Sequence, residues 1–113
     1  MSPIDEIRFH PDALSEARGE AERLAEWSYL RGREFDAALN RVLQLLHDHP
    51  FAGPVDLGIS RDGRVRHFVM PSFQTVLFYV VLDRVLWIVA IAPTKRRPGY
   101  WLERLKSLGA DSP

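Results

Sequence analysis

The hydrophobic positions of this chain change their period at Pro50. Before that residue, apolar and small side chains recur at steps of three and four, which is the spacing of one face of an α-helix. The first stripe predicts a helix over residues 12–30, and it contains Leu14, Ala17, Ala21, Leu24, Ala25 and Ser28. A second helix is expected to follow Arg31-Gly32-Arg33 and to end before Pro50, with Phe35, Ala38, Leu39, Val42, Leu45 and Leu46 on its apolar face. Two amphipathic helices with so short a connection predict an antiparallel hairpin, with Trp27 and Tyr29 packed between the helices.

Beyond Pro50 the period becomes two, which is typical of β-strands. Residues 64–70 predict one strand, whereas residues 74–82 and 85–92 are nearly continuous runs of β-branched and aromatic side chains. Such runs predict central strands, and Asp83-Arg84 between them predicts a two-residue turn. These three strands are therefore expected to form an antiparallel meander covered by the helix hairpin.

Two shorter segments complete the predicted order. Residues 4–9 predict a strand before the helices, and residues 99–108 predict a short helix at the carboxyl end. The expected fold class is α+β, with an N-terminal β-strand, an antiparallel helix hairpin, a three-stranded antiparallel β-meander and a short C-terminal helix. A chain of 113 residues with 46% hydrophobic content is long enough to bury a core, so residues 1–113 are expected to form a single domain.

Composition excludes several classes of site. Without cysteine the chain has neither disulfides nor a thiolate ligand, and its four histidines lack the spacing of a zinc site, so we expect no metal and no cofactor. The amino terminus has no basic region followed by an apolar core, and the apolar runs at residues 76–82 and 85–92 are both far shorter than the roughly 20 residues of a membrane helix. These features predict a cytoplasmic protein.

A formal charge of zero hides an asymmetry between the two halves of the chain. Residues 1–49 contain ten acids and six arginines, whereas residues 50–113 contain nine cations and five acids. The folded molecule is therefore expected to be a dipole, acidic on its first half and basic on its second.

The basic half contains a group of residues with evident binding chemistry. Three adjacent cations follow the last predicted strand after only Pro93 and Thr94, and they precede Pro-Gly-Tyr-Trp. Adjacent like charges repel and cannot be buried unpaired, so they must face water or a partner with negative charge. The candidate site formed with neighbouring side chains consists of Arg64, Arg66, Lys95, Arg96, Arg97, Tyr100, Trp101 and Arg104. Such a site can bind phosphates and stack bases, or it can hold an acidic protein segment, and composition does not choose between them.

Packing is the alternative role of the two aromatic residues in this group. A Tyr-Trp pair that opens a helix beside a sheet is more often part of the core, and Trp101 is the better core candidate of the two. Conventional hydrolase motifs such as GxSxG and HExxH are absent from the sequence.

Several residues occur in an order that characterises one known superfamily. The order comprises Pro11-x-Ala13-x-x-Glu16, Phe35, Pro50-x-x-Gly53-Pro54, Val65-Arg66-His67, Ser72-Phe73, Tyr79 and the ending Arg96-Arg97-Pro98-Gly99-Tyr100-Trp101. Over residues 7–104 the chain resembles the RelE/ParE superfamily of bacterial type II toxin-antitoxin toxins, also called plasmid stabilisation proteins. The ending is typical of the ParE-like branch. The fold that the resemblance implies, a helix hairpin on a small antiparallel sheet, agrees with the periodicity.

The resemblance implies a toxin that a cognate antitoxin neutralises in a hetero-oligomeric complex, by wrapping a flexible C-terminal segment, acidic and hydrophobic, around it. ParE-like members inhibit DNA gyrase, whereas RelE-like members cut messenger RNA on the ribosome without a metal. The implied contacts to target or antitoxin are the eight candidate residues given above. A ribonuclease would instead use Arg66, Lys95, Arg96, Arg97 and Tyr100 for catalysis.

The sequence favours the ParE-like function. Pro93 stands where many relatives have a histidine just before the basic run, and proline has neither a donor nor a group that transfers protons. We therefore expect a gyrase inhibitor that is not an enzyme. The alternatives are a RelE-like endoribonuclease and a non-toxic binding module that acts with its partner in autoregulation.

Overall fold

The computed structural model describes residues 3–56, 58, 63–97 and 99–108. Pro98 of the Arg96 to Trp101 motif therefore lies outside the described residues. The elements are β1 (Glu6–Phe9), α1 (Pro11–Trp27), α2 (Tyr29–Asp48), β2 (Arg66–Met70), β3 (Thr75–Leu82) and β4 (Val85–Pro93), with 3₁₀ helices at Pro71–Phe73 and Leu102–Ser107. The protein is thus α+β, with a strand and two helices preceding the remaining three strands.

The two helices meet at a single residue, Ser28. Its extended backbone, with φ of −159° and ψ of 123°, ends α1 and begins α2. The N–H of Ser28 donates to Leu24 O at 3.0 Å, while its Oγ accepts a hydrogen bond from the N–H of Arg31 at 3.4 Å. The prediction of a connection at Arg31-Gly32-Arg33 was wrong, because serine serves here as the cap of both helices.

Gly32 lies inside α2, where it permits close packing of the helices. A Cβ atom at this position would lie 2.9 Å from both the carbonyl oxygen and the side chain of the facing α1 residues, Ala21 and Ala25. The glycine that resembled a turn signal is therefore a packing residue. Trp27 and Tyr29 are 84% and 69% exposed, so the prediction that they pack between the helices was also wrong. Glycine and alanine bring the helices too close together to admit aromatic rings.

The four strands form one mixed sheet in the order β1-β4-β3-β2. The pairs β2–β3 and β3–β4 are antiparallel, as the meander predicts. β1, however, pairs with β4 in parallel, from Glu6 opposite Val85 to Phe9 opposite Ile88. The expectation of a purely antiparallel sheet was therefore wrong. The helices between β1 and the rest of the sheet provide the long crossover that parallel pairing requires, and the strand pattern alone does not reveal it.

The β3–β4 hairpin contains a tight turn and a β-bulge. The predicted turn is present, and both of its residues have positive φ, 49° for Asp83 and 65° for Arg84, as in the turns that favour hairpins. The register shifts between Phe78 and Tyr79, which lie opposite Ala90 and Ile88, so Val89 is an extra residue on β4.

Hydrophobic residues pack against both faces of the sheet. One face packs with the helices, and this core contains Ala13, Ala17, Phe35, Leu39, Leu46, Leu77, Tyr79, Leu86, Ile88 and Ile91. The other face packs with the chain that follows β4, and this core contains Val65, Phe78, Val80, Val89, Ala90, Ala92 and Trp101. The short helix predicted over residues 99–108 is present as a 3₁₀ helix, Leu102–Ser107, which is preceded by turns; Leu102 and Arg104 each bond to a carbonyl three residues earlier.

Neither α1 nor α2, nor any other helix in the described ranges, has the length and apolar content needed to cross a bilayer.

Candidate functional site

The three adjacent cations lie in a turn at the end of β4. We call residues 94–97 the basic segment. The N–H of Thr94 donates to Gln74 O at 2.8 Å, and the N–H of Arg96 donates to Pro93 O at 3.0 Å, so the backbone is held in place at both points. Lys95, Arg96 and Arg97 are all exposed. In the part of the chain that the structure describes, none of these three side chains forms an ion pair.

Beside the basic segment, a carboxylate joins α1 to the carboxyl-terminal segment. Glu16 accepts two hydrogen bonds from Arg104, at 2.8 and 3.0 Å, and one from the phenol of Tyr100 at 2.5 Å. The backbone N–H of Ile91 in β4 donates to the same carboxylate at 3.1 Å. We call Glu16, Tyr100 and Arg104 the Glu16 network. It connects α1 to a segment that lies 84 to 88 positions later in the sequence.

The network provides hydrogen-bond partners for backbone groups of β4 that β1 does not reach. Parallel pairing of β1 with β4 ends at Phe9 opposite Ile88, because the chain turns into α1 at Pro11. Backbone groups farther along β4 then need other partners, since an unpaired buried backbone group is costly. Glu16 accepts from the N–H of Ile91, and Arg104 Nη1 donates to the carbonyl of Val89 at 3.0 Å.

The three ionisable groups of the network shift each other's pKa values. Burial alone would raise the pKa of Glu16, but hydrogen bonds from Arg104, Tyr100 and Ile91 outweigh burial and hold that pKa below its ordinary value. Burial and the hydrogen bond to Glu16 together raise the pKa of Tyr100 to about 12. The hydrogen bond to Glu16 raises the pKa of Arg104 further. At neutral pH the network is therefore a carboxylate, a neutral phenol and a guanidinium.

Arg96 connects the network to the basic segment. Its guanidinium carbon lies 3.9 Å from the centroid of the Tyr100 ring, within the range of a cation–π contact. Arg104 lies 5.3 Å from the same centroid. The Tyr100 ring therefore supports an exposed cation with its π system, while its hydroxyl group is bound by Glu16.

A small cavity of about 70 Å³ lies between the end of the β3–β4 hairpin and the carboxyl-terminal segment. Its floor is mainly apolar, and it includes Val76, Phe78, Ala92 and Trp101. Arg96, Arg97 and Tyr100 also line it. The cavity thus combines a hydrophobic interior with two exposed cations.

The structure separates the eight candidate residues into groups. Trp101 is 1% exposed and packs on Phe78, with ring centroids 4.7 Å apart, so it belongs to the core. Arg104 belongs to the Glu16 network, where its side chain is only 15% exposed. Arg66 is the first residue of β2, two strands away from β4 in the sheet, and Arg64 lies just before that strand. Arg96, Arg97 and Tyr100 line the cavity together with the buried Trp101, and Lys95 precedes Arg96 in the basic segment.

Arg66, on the edge strand β2, binds the loop that contains Phe51 and Gly53. Its Nη1 donates to the carbonyls of Phe51 and Gly53, at 3.2 and 2.8 Å, and its guanidinium carbon lies 5.1 Å from the centroid of the Phe51 ring. The N–H of Gly53 donates in turn to the hydroxyl of Tyr79 at 2.9 Å. A Cβ at Gly53 would lie 2.3 Å from the carbonyl oxygen of His67, so only glycine fits there. These contacts bring together Gly53, Arg66 and Tyr79, which are distant from one another in the sequence.

The sequence suggested Glu16 only as an acid near the positive end of the first helix and as part of the Pro11-x-Ala13-x-x-Glu16 motif, and it was not among the eight candidate residues, although it organises the site. A signal was present, because Glu16 lies three residues after Ala13 and one before Ala17, on the face of α1 that is buried. An acid on the buried face of a helix requires a partner of opposite charge. The sequence does not say which of the distant arginines provides it.

A second surface feature is a groove of about 270 Å³ between α2 and the edge strand β2. Its apolar lining includes Ala38, Val42, Leu45, Phe68, Val69 and Phe73. Val69 is 46% exposed, and Leu45 is 39% exposed. This groove follows a sheet edge that has no further strand beside it in the described ranges.

Among the residues described, no group of three or more His, Cys, Asp or Glu side chains is arranged to hold a metal ion. The site is instead defined by cations, one phenol and an apolar cavity.

Comparison with known protein families gives a match over most of the chain. The family described as the ParE toxin of the type II toxin-antitoxin system, parDE, matches residues 7–98. No individual curated protein matches the chain. The matched range includes Glu16 and the whole basic segment and ends just before Gly99 and Tyr100, and it covers most of the chain's 113 residues. The match confirms the resemblance found from the sequence: the chain belongs to the ParE toxin family of type II toxin-antitoxin systems.

Proposed function

We propose that this protein is a ParE-like toxin of the cytoplasm that inhibits DNA gyrase when it is released from its antitoxin. The family supports a toxin role and a protein antitoxin as partner. The observation that carries the proposal is the basic segment, where Lys95, Arg96 and Arg97 are exposed and, within the described ranges, have no acidic partner. A cluster of exposed positive charges attracts an anionic macromolecule and increases its rate of association.

The geometry supports binding of the target more than cleavage of RNA. Cleavage by attack of a 2′-hydroxyl group needs a residue that transfers protons beside the cations. Tyr100 is the phenol nearest to them, but its hydroxyl donates to Glu16 and its pKa is raised to about 12. Pro93 supplies no such group either. We infer that the basic segment binds the target without covalent chemistry.

We also propose that the antitoxin covers two surfaces of the toxin with an acidic and hydrophobic C-terminal segment. The groove between α2 and β2 offers the apolar surface, and the basic segment offers the charges. A chain that folds on binding can wrap such separated surfaces, and an edge strand is suited to pairing with an added strand. The product is a hetero-oligomeric toxin-antitoxin complex.

The test compares two target assays on the purified protein. Supercoiling by DNA gyrase is measured with increasing toxin, and cleavage of messenger RNA is measured on translating ribosomes. We expect loss of supercoiling and no cleavage. The triple variant Lys95→Ala, Arg96→Ala, Arg97→Ala should lose inhibition, whereas Arg18→Ala, which removes a single exposed charge on α1, should retain it.

Other outcomes select the alternatives. Cleavage without loss of supercoiling would identify a RelE-like endoribonuclease. Normal growth on expression without the antitoxin, together with inactivity in both assays, would identify a non-toxic binding module and refute the proposal.

A further inference from the structure

We propose that the cavity beside the basic segment receives one aliphatic side chain of the antitoxin's tail, while acidic residues next to that side chain pair with Arg96 and Arg97. This inference rests on the proposed function, because it assumes an acidic and hydrophobic protein partner. It adds the position on the toxin and the chemistry of the residues that bind there.

The cavity has the size and lining for a small apolar group. A water molecule takes up about 30 Å³ in the liquid, and a cavity of roughly 150 Å³ can hold benzene. At about 70 Å³ the cavity lies between these limits, which suits a branched aliphatic side chain. Val76, Phe78, Ala92 and Trp101 supply hydrocarbon surface, so a buried apolar group gains contacts that water would not.

The charges around the cavity define what must flank that apolar group. Arg96 and Arg97 line it and are exposed, and no ion pair engages either of them within residues 3–56, 58, 63–97 and 99–108. Guanidinium groups bind carboxylates through two parallel hydrogen bonds. A segment in which an aliphatic residue stands between acids therefore complements both the interior and the cations.

One of these cations is held in place before binding. Arg96 rests on the ring of Tyr100 at 3.9 Å, and the hydroxyl of Tyr100 is fixed by Glu16. A side chain that is already ordered loses less entropy when a partner binds. The Glu16 network is therefore a positioning element for the proposed contact and not a part of it.

A peptide is favoured over a nucleic acid because, among the described residues that line the cavity, no aromatic ring is open for stacking bases. Trp101 is 1% exposed, and Arg96 already occupies a face of Tyr100. Single-stranded nucleic acids are normally held by exposed rings together with cations. Here the cations are present without a free aromatic platform.

The test uses short peptides and the NMR signals of the tryptophan indole groups. The probe is Glu-Glu-Leu-Glu-Glu with blocked termini, titrated into the ¹⁵N-labelled full chain. The three tryptophans are assigned with Trp27→Phe and Trp87→Phe variants. We expect the Trp101 signal to shift on binding while that of Trp27, which is 84% exposed at the helix junction, does not.

One further peptide and four kinds of variant separate the apolar and charged parts of the contact: Arg96→Ala, Arg97→Ala, Arg18→Ala and a substitution at Ala92. Glu-Glu-Ala-Glu-Glu should bind roughly tenfold more weakly, because it leaves the cavity empty. Arg96→Ala and Arg97→Ala should each weaken binding about two- to fivefold, as expected for exposed ion pairs. Arg18→Ala, with the same loss of charge on α1, should have no such effect. Filling the cavity with Ala92→Leu, or with Ala92→Val if the larger side chain disturbs the fold, should abolish discrimination between the two peptides.

Several results would overturn the inference. These are a Trp101 signal that does not move with the leucine peptide, equal binding of the leucine and alanine peptides, or equal effects of Arg96→Ala and Arg18→Ala. Tighter binding of an oligothymidine than of the peptide would show that the cations serve a nucleic acid instead. Because none of these measurements involves gyrase, a negative result here leaves the proposed target intact, and loss of the gyrase effect alone leaves the cavity assignment intact.

Discussion

The carboxylate of Glu16 and the guanidinium of Arg104 form a two-pronged ion pair, with oxygen to nitrogen distances of 2.8 and 3.0 Å. Their side chains are 19% and 15% exposed. The pair joins α1 to the 3₁₀ helix Leu102–Ser107 and lies beside the basic segment. It therefore links stability and the geometry of the binding surface.

Removal of this carboxylate should destabilise the fold. Glu16→Ala leaves Arg104, Tyr100 and the N–H of Ile91 without their common acceptor, and we expect a loss of about 2 to 3 kcal/mol in the free energy of unfolding. The measurement is urea denaturation at pH 7, with Arg18→Ala, two residues along the same helix, as the control. A double-mutant cycle with Arg104→Ala should show a coupling of at least about 0.5 kcal/mol. Additive effects of the two substitutions would contradict the pairing.

Stability should also depend on pH through Glu16. Because the pKa of Glu16 is lower in the folded protein than its ordinary value of 4.5, its contribution is present above that value and is lost as pH falls through the folded pKa. We expect the urea concentration at the unfolding midpoint to decrease as the pH is lowered from about 5 to about 3. This interval extends roughly one pH unit to either side of the ordinary pKa of a carboxyl group. Glu16→Gln removes the titrating group, so its midpoint should fall less over the same interval. Identical pH profiles for the two proteins would exclude Glu16 as a source of the dependence.

Two glycines in the helices should respond in opposite ways to the same substitution. Gly32→Ala places a Cβ 2.9 Å from Ala21 and Ala25, and we expect it to destabilise the protein by about 1 to 3 kcal/mol through overpacking. Gly19→Ala meets no atom within 4 Å and should stabilise α1 by about 0.5 to 1 kcal/mol. Thermal unfolding of both variants measures the difference. A stabilising effect at Gly32 would show that the helices do not pack as closely as described.

Trp101 should contribute much more than Trp27 to the free energy of unfolding. Trp101→Ala removes a ring that is 1% exposed and packed on Phe78, so the expected loss is about 3 to 5 kcal/mol. Trp27→Ala removes a ring that is 84% exposed, and we expect a change within about 0.5 kcal/mol. Equilibrium denaturation followed by circular dichroism compares the two variants. A large loss at Trp27 would show that this residue is covered in solution.

Much of the secondary structure could be predicted because it depends on local pattern. Helical periodicity, the alternation of strand residues and the Asp83-Arg84 turn each involve neighbours in sequence, and the structure contains the corresponding elements. The errors arose where two distant segments meet. Gly32 resembles a turn residue until Ala21 and Ala25 are placed against it, and the parallel pairing of β1 depends on the crossover through both helices.

The candidate site shows the same division between local and distant information. The run of three cations had to be exposed whatever the fold, because adjacent like charges cannot be buried without partners. The family was also evident from the order of motifs along the chain. Tertiary structure alone decided which arginine is neutralised, since Arg104 reaches a carboxylate 88 positions earlier while Arg96 remains free to face a partner. A sequence records which charges are present, but their mutual distances, and hence their energies, exist only after the chain has folded.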